Sequence, residues 1–371
     1  MRILFLDQFN ALGGAQQCLL DVLDALPQGD VFAALPGSGP FSEELSRRGV
    51  PVHELPEINY ANGRKTLWDA LRFGLGAARL TARIDQIAAE RDVDLLYVNG
   101  PRLLPAAAAV PRQLIFHAHS RLDKRYASAL VRRGLKRSGA RVIACCDYVA
   151  SALKPYPARV ILNGVREVPF RPPCGRRAWR IGVVGRIAPE KGQLDFARAA
   201  RILSGRGVHA EYVVFGEPLF ASSSYASSVR KIASGVPVRF AGWVHAASEI
   251  YNGLDVVAVP SSSVEATPRV IMEAFAAGAV VVAYPSGGIP ELIEDGVTGV
   301  LTSQPAPEAL AYAIAKLLGD PRRMISIALA ARQAWETRFT VQRYVREVMD
   351  FIGIEGRGTK YVPLEHRSAA S

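Results

Sequence analysis

The chain has 371 residues, of which 49% are hydrophobic and 21% charged. This is ordinary globular composition, with length enough for two domains and a sizeable core. The formal net charge of +11 favours anionic partners, namely phosphorylated ligands, nucleic acid or an anionic membrane face, without choosing among them. The cysteines form no C-x-x-C pair and have no histidine at zinc-ligand spacing, which favours free thiols in a reducing compartment; they are Cys18, Cys145, Cys146 and Cys174.

The sequence predicts neither a signal peptide nor a membrane-spanning segment. Residues 1–7 reach Asp7 too early for a signal peptide. The most apolar window, residues 270–289, contains Glu273, three glycines and Pro285, which favours a helix-turn-strand over a membrane span. We therefore expect a cytoplasmic protein without a transmembrane helix. The tail, residues 354–371, is polar and aperiodic, and we expect it to be disordered; its Ile-Glu-Gly-Arg opening resembles a protease site of expression vectors.

Short apolar runs alternate with amphipathic segments through the first half of the chain. The pattern predicts a helix over residues 15–26 and strands at residues 3–6, 31–35, 95–98, 113–116, 142–144 and 160–162. Strand-helix alternation predicts a parallel sheet covered on both faces. Residues 166–177 are rich in proline and arginine and are typical of an interdomain linker.

The alternation restarts after this linker. Strands are predicted at residues 180–184, 211–215, 238–240, 255–259 and 280–283, and helices at 193–206, 307–318, 324–338 and 341–352. The fold class is therefore α/β, with two doubly wound parallel-sheet domains facing across a cleft. We assign residues 1–168 to the first domain, joined by the helix 341–352, and residues 178–340 to the second.

Two carboxylates stand eight positions apart around a predicted helix start. Thr267 is a good N-cap, Pro268 suits the first helical position, and Gly278 is placed to end the helix. Glu265 then lies in a loop and Glu273 about a turn and a half into the helix. Because a helix N-terminus attracts phosphate and carboxylates accept hydrogen bonds from hydroxyls, the segment suits a nucleotide sugar.

A glycine-rich turn with two cations follows the first strand of the second half. Residues 182–192 place backbone at the strand's carboxyl end, where open α/β sheets bind ligands. Arg186 and Lys191 would offset the charge of a departing nucleoside diphosphate. The alternative is a solvated loop with incidental charges. The Gly13-Gly14 pair after the first strand is either a flexible turn or a close approach to the phosphate side of the ligand.

Three further features have ordinary alternatives. His117 and His119 fall on one side of an extended strand, where a sugar hydrogen bond or a structural role is favoured over a metal site, since no third ligand is evident. Asp92-Val-Asp94 matches a metal-binding D-x-D pattern, but an acidic turn before a strand is favoured. Residues 121–141 carry eight basic side chains and are either a solvated helix face or a patch for a membrane surface or anionic acceptor; with Tyr126 as their one aromatic, they disfavour nucleic acid.

Together these residues resemble the family 4 retaining glycosyltransferases of the GT-B fold. The resemblance extends to about residue 352. It is carried by residues 13–16, 117–119, 163–165, 185–192, 240–244, 255–261, 287–291 and the pair Glu265 and Glu273. This sequence departs from the family pattern at Gln16, where an acid is common, and at the Ala266-Thr267-Pro268 loop, which lacks the frequent glycines.

The resemblance implies a role for each matching residue. Glu265 would contact hydroxyls of the donor sugar and Glu273 the ribose, while Arg186 and Lys191 would hold the diphosphate. His119 would lie near the reacting carbon. The last helix would cross back onto the first domain. The remaining donor-binding residues are Gly13, Gly14, Gly216, Ala266, Thr267, Pro268, Arg269 and Val270.

The hypothesis is transfer of a sugar from a UDP- or GDP-sugar to a glycan or lipid-linked acceptor, with retained anomeric configuration and without a metal or other cofactor. The protein would act in the cytoplasm, in peripheral contact with the inner membrane face through residues 121–141. Two alternatives remain, a nucleotide-sugar epimerase of the GT-B fold and a non-catalytic nucleotide-sugar-binding protein.

Overall fold

A computed structural model describes residues 1–27, 29–57, 67–122, 124–173, 178–218, 223–261 and 265–354, with side chains of the helix that begins at Leu67 described from residue 76. Cys174, the end of the predicted linker and the predicted disordered tail from residue 355 lie outside the described residues. The chain divides into two compact units. Unit 1 contains Met1–Ile161 and the chain from Tyr344, and unit 2 contains Leu162–Arg343.

Unit 1 is built on a seven-stranded parallel sheet of order β3-β2-β1-β4-β5-β6-β7. The strands are β1 (Ile3–Asp7), β2 (Val31–Pro36), β3 (Val52–Leu55), β4 (Leu95–Asn99), β5 (Gln113–Ala118), β6 (Arg141–Ala144) and β7 (Arg159–Val160). The helices between them are α1 (Gly14–Leu23), α2 (Pro40–Arg47), α3 (Leu67–Glu90), α4 (Leu104–Ala107), α5 (Arg125–Ser138) and α6 (Asp147–Leu153).

The strands of unit 1 form where apolar runs can be buried on both sheet faces. Every residue of β1 and β4 is buried, as expected for central strands of a parallel sheet. The predicted strands are confirmed, except that β7 lies at Arg159–Val160 and ends two residues before the predicted run does. The pattern missed β3, because this edge strand is only four residues long and half-exposed at His53 and Glu54.

Unit 2 repeats the plan with a six-stranded parallel sheet of order β10-β9-β8-β11-β12-β13. Its strands are β8 (Trp179–Val184), β9 (Ala210–Phe215), β10 (Val238–Gly242), β11 (Val256–Val259), β12 (Val280–Ala283) and β13 (Val300–Leu301). The remaining helices are α7 (Gln193–Gly205), α8 (Ser223–Ala233), α9 (Ala247–Tyr251), α10 (Arg269–Ala277), α11 (Ile289–Leu292), α12 (Pro307–Leu318), α13 (Pro321–Ala334) and α14 (Val341–Ile352), of which α14 enters unit 1 at Tyr344.

The central strands of unit 2 send alternate side chains into two separate cores. Val256 and Ala258 of β11 join the core that packs on α7, α8 and α12. Val257 and Val259 join the core that packs on α10 and the end of α13. This two-sided burial explains why β11 and β12 appear in the sequence as continuous apolar runs.

Two predicted helices each have one bound three residues away from the predicted position. The predicted helix 324–338 begins earlier, at Pro321, where the Asp320 side chain accepts a hydrogen bond from the Arg323 amide at 3.0 Å, and its last turn, Trp335–Phe339, is π-helical. The predicted helix 15–26 runs instead from Gly14 to Leu23.

The apolar window 270–289 is the predicted helix-turn-strand, formed by α10, a left-handed Gly278 with φ of 88°, and β12. Within the described ranges, no helix is both long and apolar enough to span a bilayer.

Candidate functional site

The strand order of unit 2 reverses between β8 and β11. From β8, the chain builds β9 and β10 on one side and returns to place β11 on the other. At such a switch point the loops after neighbouring strands diverge and leave a crevice at their carboxyl ends. The loop after β8 carries Arg186 and Lys191, and the loop after β11 leads to Glu265. The topology therefore gathers the predicted site residues of this unit at one edge of the sheet.

The loop after β8 is held by a buried glutamine. Gln193, the first residue of α7, is fully buried. Its side-chain Nε2 donates to the carbonyl of Arg186 at 2.8 Å and to that of Gly185 at 3.3 Å. Its Oε1 accepts from the Ala188 amide at 3.3 Å. These bonds satisfy backbone groups of the loop that have no partner in the sheet. They also fix the backbone of the loop that carries Arg186 and Lys191.

Both cations are already paired with carboxylates of the same unit. The Lys191 ammonium forms an ion pair with Glu265 Oε1, and these two side chains are only 26% and 15% exposed. Arg186 Nη2 lies 2.6 Å from Glu190 Oε1 in a pair that is about 40% exposed. The structure thus joins Lys191 to Glu265, 74 positions away. A bound diphosphate would meet cations whose charge is balanced beforehand.

Glycines bring the loop after β12 against the Glu265 backbone. The Gly288 amide donates to the Glu265 carbonyl at 2.8 Å. Gly287 has φ of +59°, and a Cβ built there would lie 1.9 Å from the same carbonyl oxygen. Only glycine fits such an approach. Gly216 plays a similar part beneath the β8 loop, where a Cβ would lie 2.0 Å from the Gly185 carbonyl oxygen.

The start of α10 differs from the sequence prediction. The helix begins at Arg269, with Pro268 at the N-cap position in extended backbone, so Thr267 is not the N-cap and Pro268 is not the first helical residue. Thr267 Oγ1 instead accepts a hydrogen bond from Asn163 Nδ2 at 2.6 Å. In the described part of the chain, no side chain caps the first turn, which leaves amides such as that of Val270 free of side-chain partners for an anion.

Glu273 projects from the second turn of α10, as predicted, and two of the described side chains contact it. The Tyr251 hydroxyl donates to Glu273 Oε2 at 3.0 Å, and Arg269 Nε lies 3.6 Å from Glu273 Oε1. Burial and the adjacent carboxylate hold the pKa of Tyr251 well above its usual range, so this hydroxyl stays protonated and donates. These two contacts orient the Glu273 carboxylate.

Unit 1 has its own switch point, between β1 and β4, and a buried polar network occupies it. Asp7 ends β1 and Asn99 ends β4; Asn99 Nδ2 donates to Asp7 Oδ2 at 2.6 Å. Asn99 Oδ1 in turn lies 2.6 Å from His119 Nε2. Gln16 Nε2 donates to both Asp7 oxygens at 3.0 and 3.1 Å, and Gln16 Oε1 accepts from the Gly13 amide at 3.2 Å. The network therefore joins His119 to the Gly13-Gly14 loop, two predictions that the sequence kept separate.

The burial of Asp7 makes its ionisation costly. Burial raises the pKa of Asp7 from 3.8 to about 6, against the opposing effect of hydrogen bonds from Asn99, Phe9 and Gln16. Because the pKa is higher in the folded state, the contribution of Asp7 to stability is fully present below about pH 4 and declines as the pH rises towards 6. The difference of about two units corresponds to roughly 3 kcal/mol.

We therefore expect a pH-dependent stability difference between the wild type and Asp7→Asn. The variant is neutral at every pH, so the free energy of unfolding of the wild type minus that of the variant should fall between about pH 4 and 6 and level off above. Urea denaturation at several pH values measures it, and the subtraction removes groups common to both proteins. A difference that is flat or rises with pH would contradict the raised pKa.

The other histidine of the pair, His117, is buried in the sheet. His117 lies inside β5, is 1% exposed, and has Nδ1 at 2.7 Å from the Tyr97 hydroxyl. Its ring lies 3.8 Å, centroid to centroid, from that of His119, which places both on one side as predicted. Across the described residues, no group of three or more His, Cys, Asp or Glu side chains is arranged to hold a metal ion.

The D-x-D pattern is an acidic turn, as the favoured interpretation predicted. Asp92 has φ of +53°, and Asp94 accepts from the Arg2 amide at 2.8 Å at the amino end of β4. It lies at the opposite end of this strand from Asn99.

Sequence reasoning missed four residues that orient the site, namely Asp7, Asn99, Gln193 and Tyr251. Two of them could have been found. Asp7 and Asn99 are polar residues that close apolar strands on either side of the switch point, where ligands bind in open sheets. Gln193 and Tyr251 carry no such pattern. Gln193 bonds with a loop carbonyl, and Tyr251 bonds with a carboxylate on another helix.

Two family models match the chain. Residues 12–167 match the model for "Glycosyltransferase Family 4", and residues 178–320 match the model for "Glycosyl transferases group 1". The first match covers unit 1 from residue 12 and extends to residue 167, just past the end of this part of the unit at Ile161. The second lies within unit 2. The two models together therefore cover both parallel sheets.

Two curated relatives show the range of similarity. The lipopolysaccharide core biosynthesis mannosyltransferase LpcC of Rhizobium leguminosarum is 30% identical over 267 residues, which are 65% of this chain and 71% of LpcC. The D-inositol 3-phosphate glycosyltransferase of Segniliparus rotundus is 35% identical over 166 residues, 42% of this chain and 37% of the relative. The chain spans only 37 to 56% of the length of several curated relatives that it matches.

A solved structure covers almost the whole fold. Anabaena Alr3699/HepE, crystallised in complex with UDP-glucose, is 24% identical with a TM-score of 0.79 over 95% of this chain and 99% of its own. This likeness shows that the two parallel-sheet units form the GT-B fold. With both family models and the similarity to LpcC, it establishes that the chain belongs to the group 1, family 4 type of glycosyltransferases.

Proposed function

We propose that this protein transfers a sugar from a nucleoside-diphosphate sugar to an acceptor hydroxyl, with retention of the anomeric configuration and without a protein-bound metal. The observation that carries the proposal is the ion pair between Lys191 and Glu265 at the β8/β11 switch point. It sets a cation for a diphosphate beside a carboxylate for sugar hydroxyls, next to the start of α10. A nucleotide sugar carries both groups in one molecule.

In this proposal Arg186 and Lys191 stabilise the transition state. When the bond between sugar and diphosphate breaks, negative charge builds on the departing phosphate oxygen. Arg186 and Lys191 stabilise this charge from a preorganised loop, so the leaving group departs without a metal ion. The departing phosphate then helps to accept the proton of the incoming hydroxyl on the same face of the sugar, which retains the configuration.

Glu265 and Glu273 are binding groups in this reaction. Glu265 grips hydroxyls of the donor sugar while it is balanced by Lys191, and Glu273, held by Tyr251, grips the ribose. A retaining glycosidase instead uses two carboxyl groups flanking the scissile bond as acid and nucleophile. Here Glu265 forms an ion pair with Lys191, which suits a group that accepts hydrogen bonds rather than one that attacks the sugar.

Donor binding should be visible as a change in thermal stability. A ligand that binds only the folded protein at a hundred times its Kd adds about 2.7 kcal/mol, so UDP, GDP or their sugars should raise Tm by several degrees. The matching nucleoside monophosphate, which lacks the second phosphate for Arg186 and Lys191, should raise it less. A screen that shows equal shifts with mono- and diphosphates would contradict the proposed diphosphate grip.

The bound donor from this screen then tests the reaction itself. With an acceptor, NMR of the product should show a glycoside whose anomeric configuration matches the donor. A new nucleotide sugar formed without an acceptor would identify an epimerase, and binding with no turnover across an acceptor panel would identify a binding protein. An inverted product would refute the retaining mechanism.

We further propose that the acceptor is lipid-linked or a cell-envelope glycan and that α5 docks on the anionic inner membrane face. The exposed residues of this helix include Arg125, Arg132, Arg133, Lys136 and Arg137, which recur at helical spacing on one face. Val131 and Leu135 on the other face are buried. A basic helix face of this kind binds anionic lipid headgroups, and Tyr126 as its one aromatic does not suit base stacking.

Neutralising this face should weaken vesicle binding. Arg132→Gln together with Lys136→Gln removes two charges worth about 1 kcal/mol each near a membrane surface, so binding to vesicles with phosphatidylglycerol should fall roughly ten- to thirtyfold. The control pair Lys316→Gln and Arg322→Gln, exposed in unit 2, should bind as the wild type. Equal binding to phosphatidylcholine vesicles, or no loss in the double variant, would refute this surface.

A further inference from the structure

We propose that Asp7 and Asn99 are positioning residues that fix the tautomer of His119, so that His119 Nδ1 offers a lone pair to a hydroxyl of the bound sugar. The inference rests on the proposed function for the identity of the ligand. The tautomer itself follows from contacts within unit 1. It determines which chemical group His119 receives, namely a hydrogen-bond donor and not a phosphate.

The first step is the direction of the bond between Asp7 and Asn99. Asp7 Oδ2 lies 2.6 Å from the Asn99 amide nitrogen. An ionised carboxylate only accepts hydrogen bonds. Other groups also donate to the same carboxylate, namely the Gln16 amide at 3.0 and 3.1 Å, the Phe9 backbone amide at 2.9 Å and the Gln8 backbone amide. Asp7 therefore requires that Asn99 turn its NH2 group inward and its carbonyl oxygen outward.

The second step passes this direction to the imidazole. Asn99 Oδ1 lies 2.6 Å from His119 Nε2. A carbonyl oxygen only accepts, so His119 Nε2 must carry the proton. Burial lowers the pKa of His119 to about 4, so the ring is neutral near pH 7. Its other nitrogen, Nδ1, therefore carries no proton. Asp7 thus sets the His119 tautomer through one intervening amide, as second-layer partners do for histidines elsewhere.

The third step concerns the free nitrogen. His119 Nδ1 is buried, and in the described part of the protein it has no hydrogen-bond partner. Leaving a buried hydrogen-bond acceptor unpaired costs free energy, so we expect a ligand to supply the missing donor. His117 does not supply one, because its Nδ1 bonds with the Tyr97 hydroxyl and its Nε2 also has no hydrogen-bond partner among the described residues. A sugar hydroxyl can donate to the lone pair, whereas an ionised phosphate oxygen cannot.

Two variants separate this directional role from packing. Asp7→Asn keeps the shape but places an amide against Asn99, which can then turn either way and release the His119 tautomer. Adding Asn99→Asp reverses the pair. The amide introduced by Asp7→Asn would then donate to the carboxylate introduced by Asn99→Asp, whose other oxygen accepts from His119 Nε2. The double variant should therefore restore the wild-type tautomer, whereas a loss of packing would only worsen with the second change.

The test reads the tautomer by 15N NMR of histidine-labelled full-length protein without donor, with the His119 resonances assigned from His119→Gln. The wild type should show Nε2–H alone, Asp7→Asn a mixture, and the double variant Nε2–H again at about pH 9, where an imidazole beside a carboxylate is neutral. The control Asp94→Asn, at the other end of β4, should match the wild type. Nδ1–H in the wild type, or an unchanged tautomer in Asp7→Asn, would overturn the proposal.

Because no substrate is present, this reading does not depend on whether the protein transfers sugar. Turnover is measured separately. Asp7→Asn should lower kcat/KM about tenfold, the effect of one hydrogen bond in the transition state, and the double variant should recover most of it at about pH 9. A double variant that regains the tautomer and a wild-type Tm but not the turnover would overturn the role of Nδ1 while leaving the tautomer assignment intact.

Discussion

Replacing Lys191 by alanine is expected to lower kcat/KM for the sugar donor about a hundred- to a thousandfold, the usual loss when one preorganised charge is removed from a transition state. Two physical effects act together. The departing diphosphate loses the Lys191 ammonium. The Glu265 carboxylate, only 15% exposed, also loses its counterion and then repels the incoming phosphates. Steady-state kinetics with the donor found in the thermal screen measure the loss.

A second variant separates these two effects. Lys191→Ala combined with Glu265→Gln removes the uncompensated charge, so donor affinity should recover in part while kcat stays low. Lys316→Ala, the same change on the exposed face of α12, should leave both constants unchanged. Full turnover by Lys191→Ala would refute the assignment, and equal recovery of kcat and affinity in the double variant would reduce Lys191 to a counterion for Glu265.

The arrangement of elements was predictable because it depends on local patterns. Continuous apolar runs such as β11 and β12 and amphipathic helices such as α12 mark a parallel sheet between two helical layers. The predictions were wrong where a contact with a distant part of the chain, or the position at a sheet edge, determines the element. The start of α10 is one residue late, and the Thr267 hydroxyl that was predicted to cap it accepts instead from Asn163, about a hundred positions earlier. β3 was missed because an edge strand buries too little to need an apolar pattern.

The candidate site also has a part that the sequence predicted and a part that it did not. Arg186, Lys191 and Glu265 were predicted from residue types beside strand ends and a helix start, and the structure gathers them at one edge of the sheet. Their partners were not predicted. That Lys191 neutralises Glu265, or that Gln16 joins Gly13 to Asp7, depends on which loops meet, and loop geometry leaves little trace in a single sequence. Gln16 replaces the acid common in the family with an amide that can donate to a buried carboxylate.

Gly287→Ala is expected to displace Glu265, the proposed sugar-binding residue, without removing any charged group. The methyl would lie 1.9 Å from the carbonyl oxygen of Glu265 and 3.1 Å from its nitrogen. Both are backbone atoms and cannot rotate aside. The Glu265 segment must therefore move, or the turn that donates the Gly288 amide to it at 2.8 Å must open. Because a shift of about 1 Å can cost a hundredfold in rate, kcat/KM should fall by about that factor.

A second glycine separates steric contact from backbone strain. Gly235 of the same unit also has positive φ, at +80°, but its added methyl would meet nothing within 4 Å. Alanine in the left-handed region costs about 1–2 kcal/mol wherever it stands, and the clash at Gly287 adds about 1–3 kcal/mol. Gly235→Ala should therefore lose only the smaller amount of stability and keep full turnover. If urea denaturation and kinetics find the two variants alike, the Gly287 contact does not hold Glu265 in place.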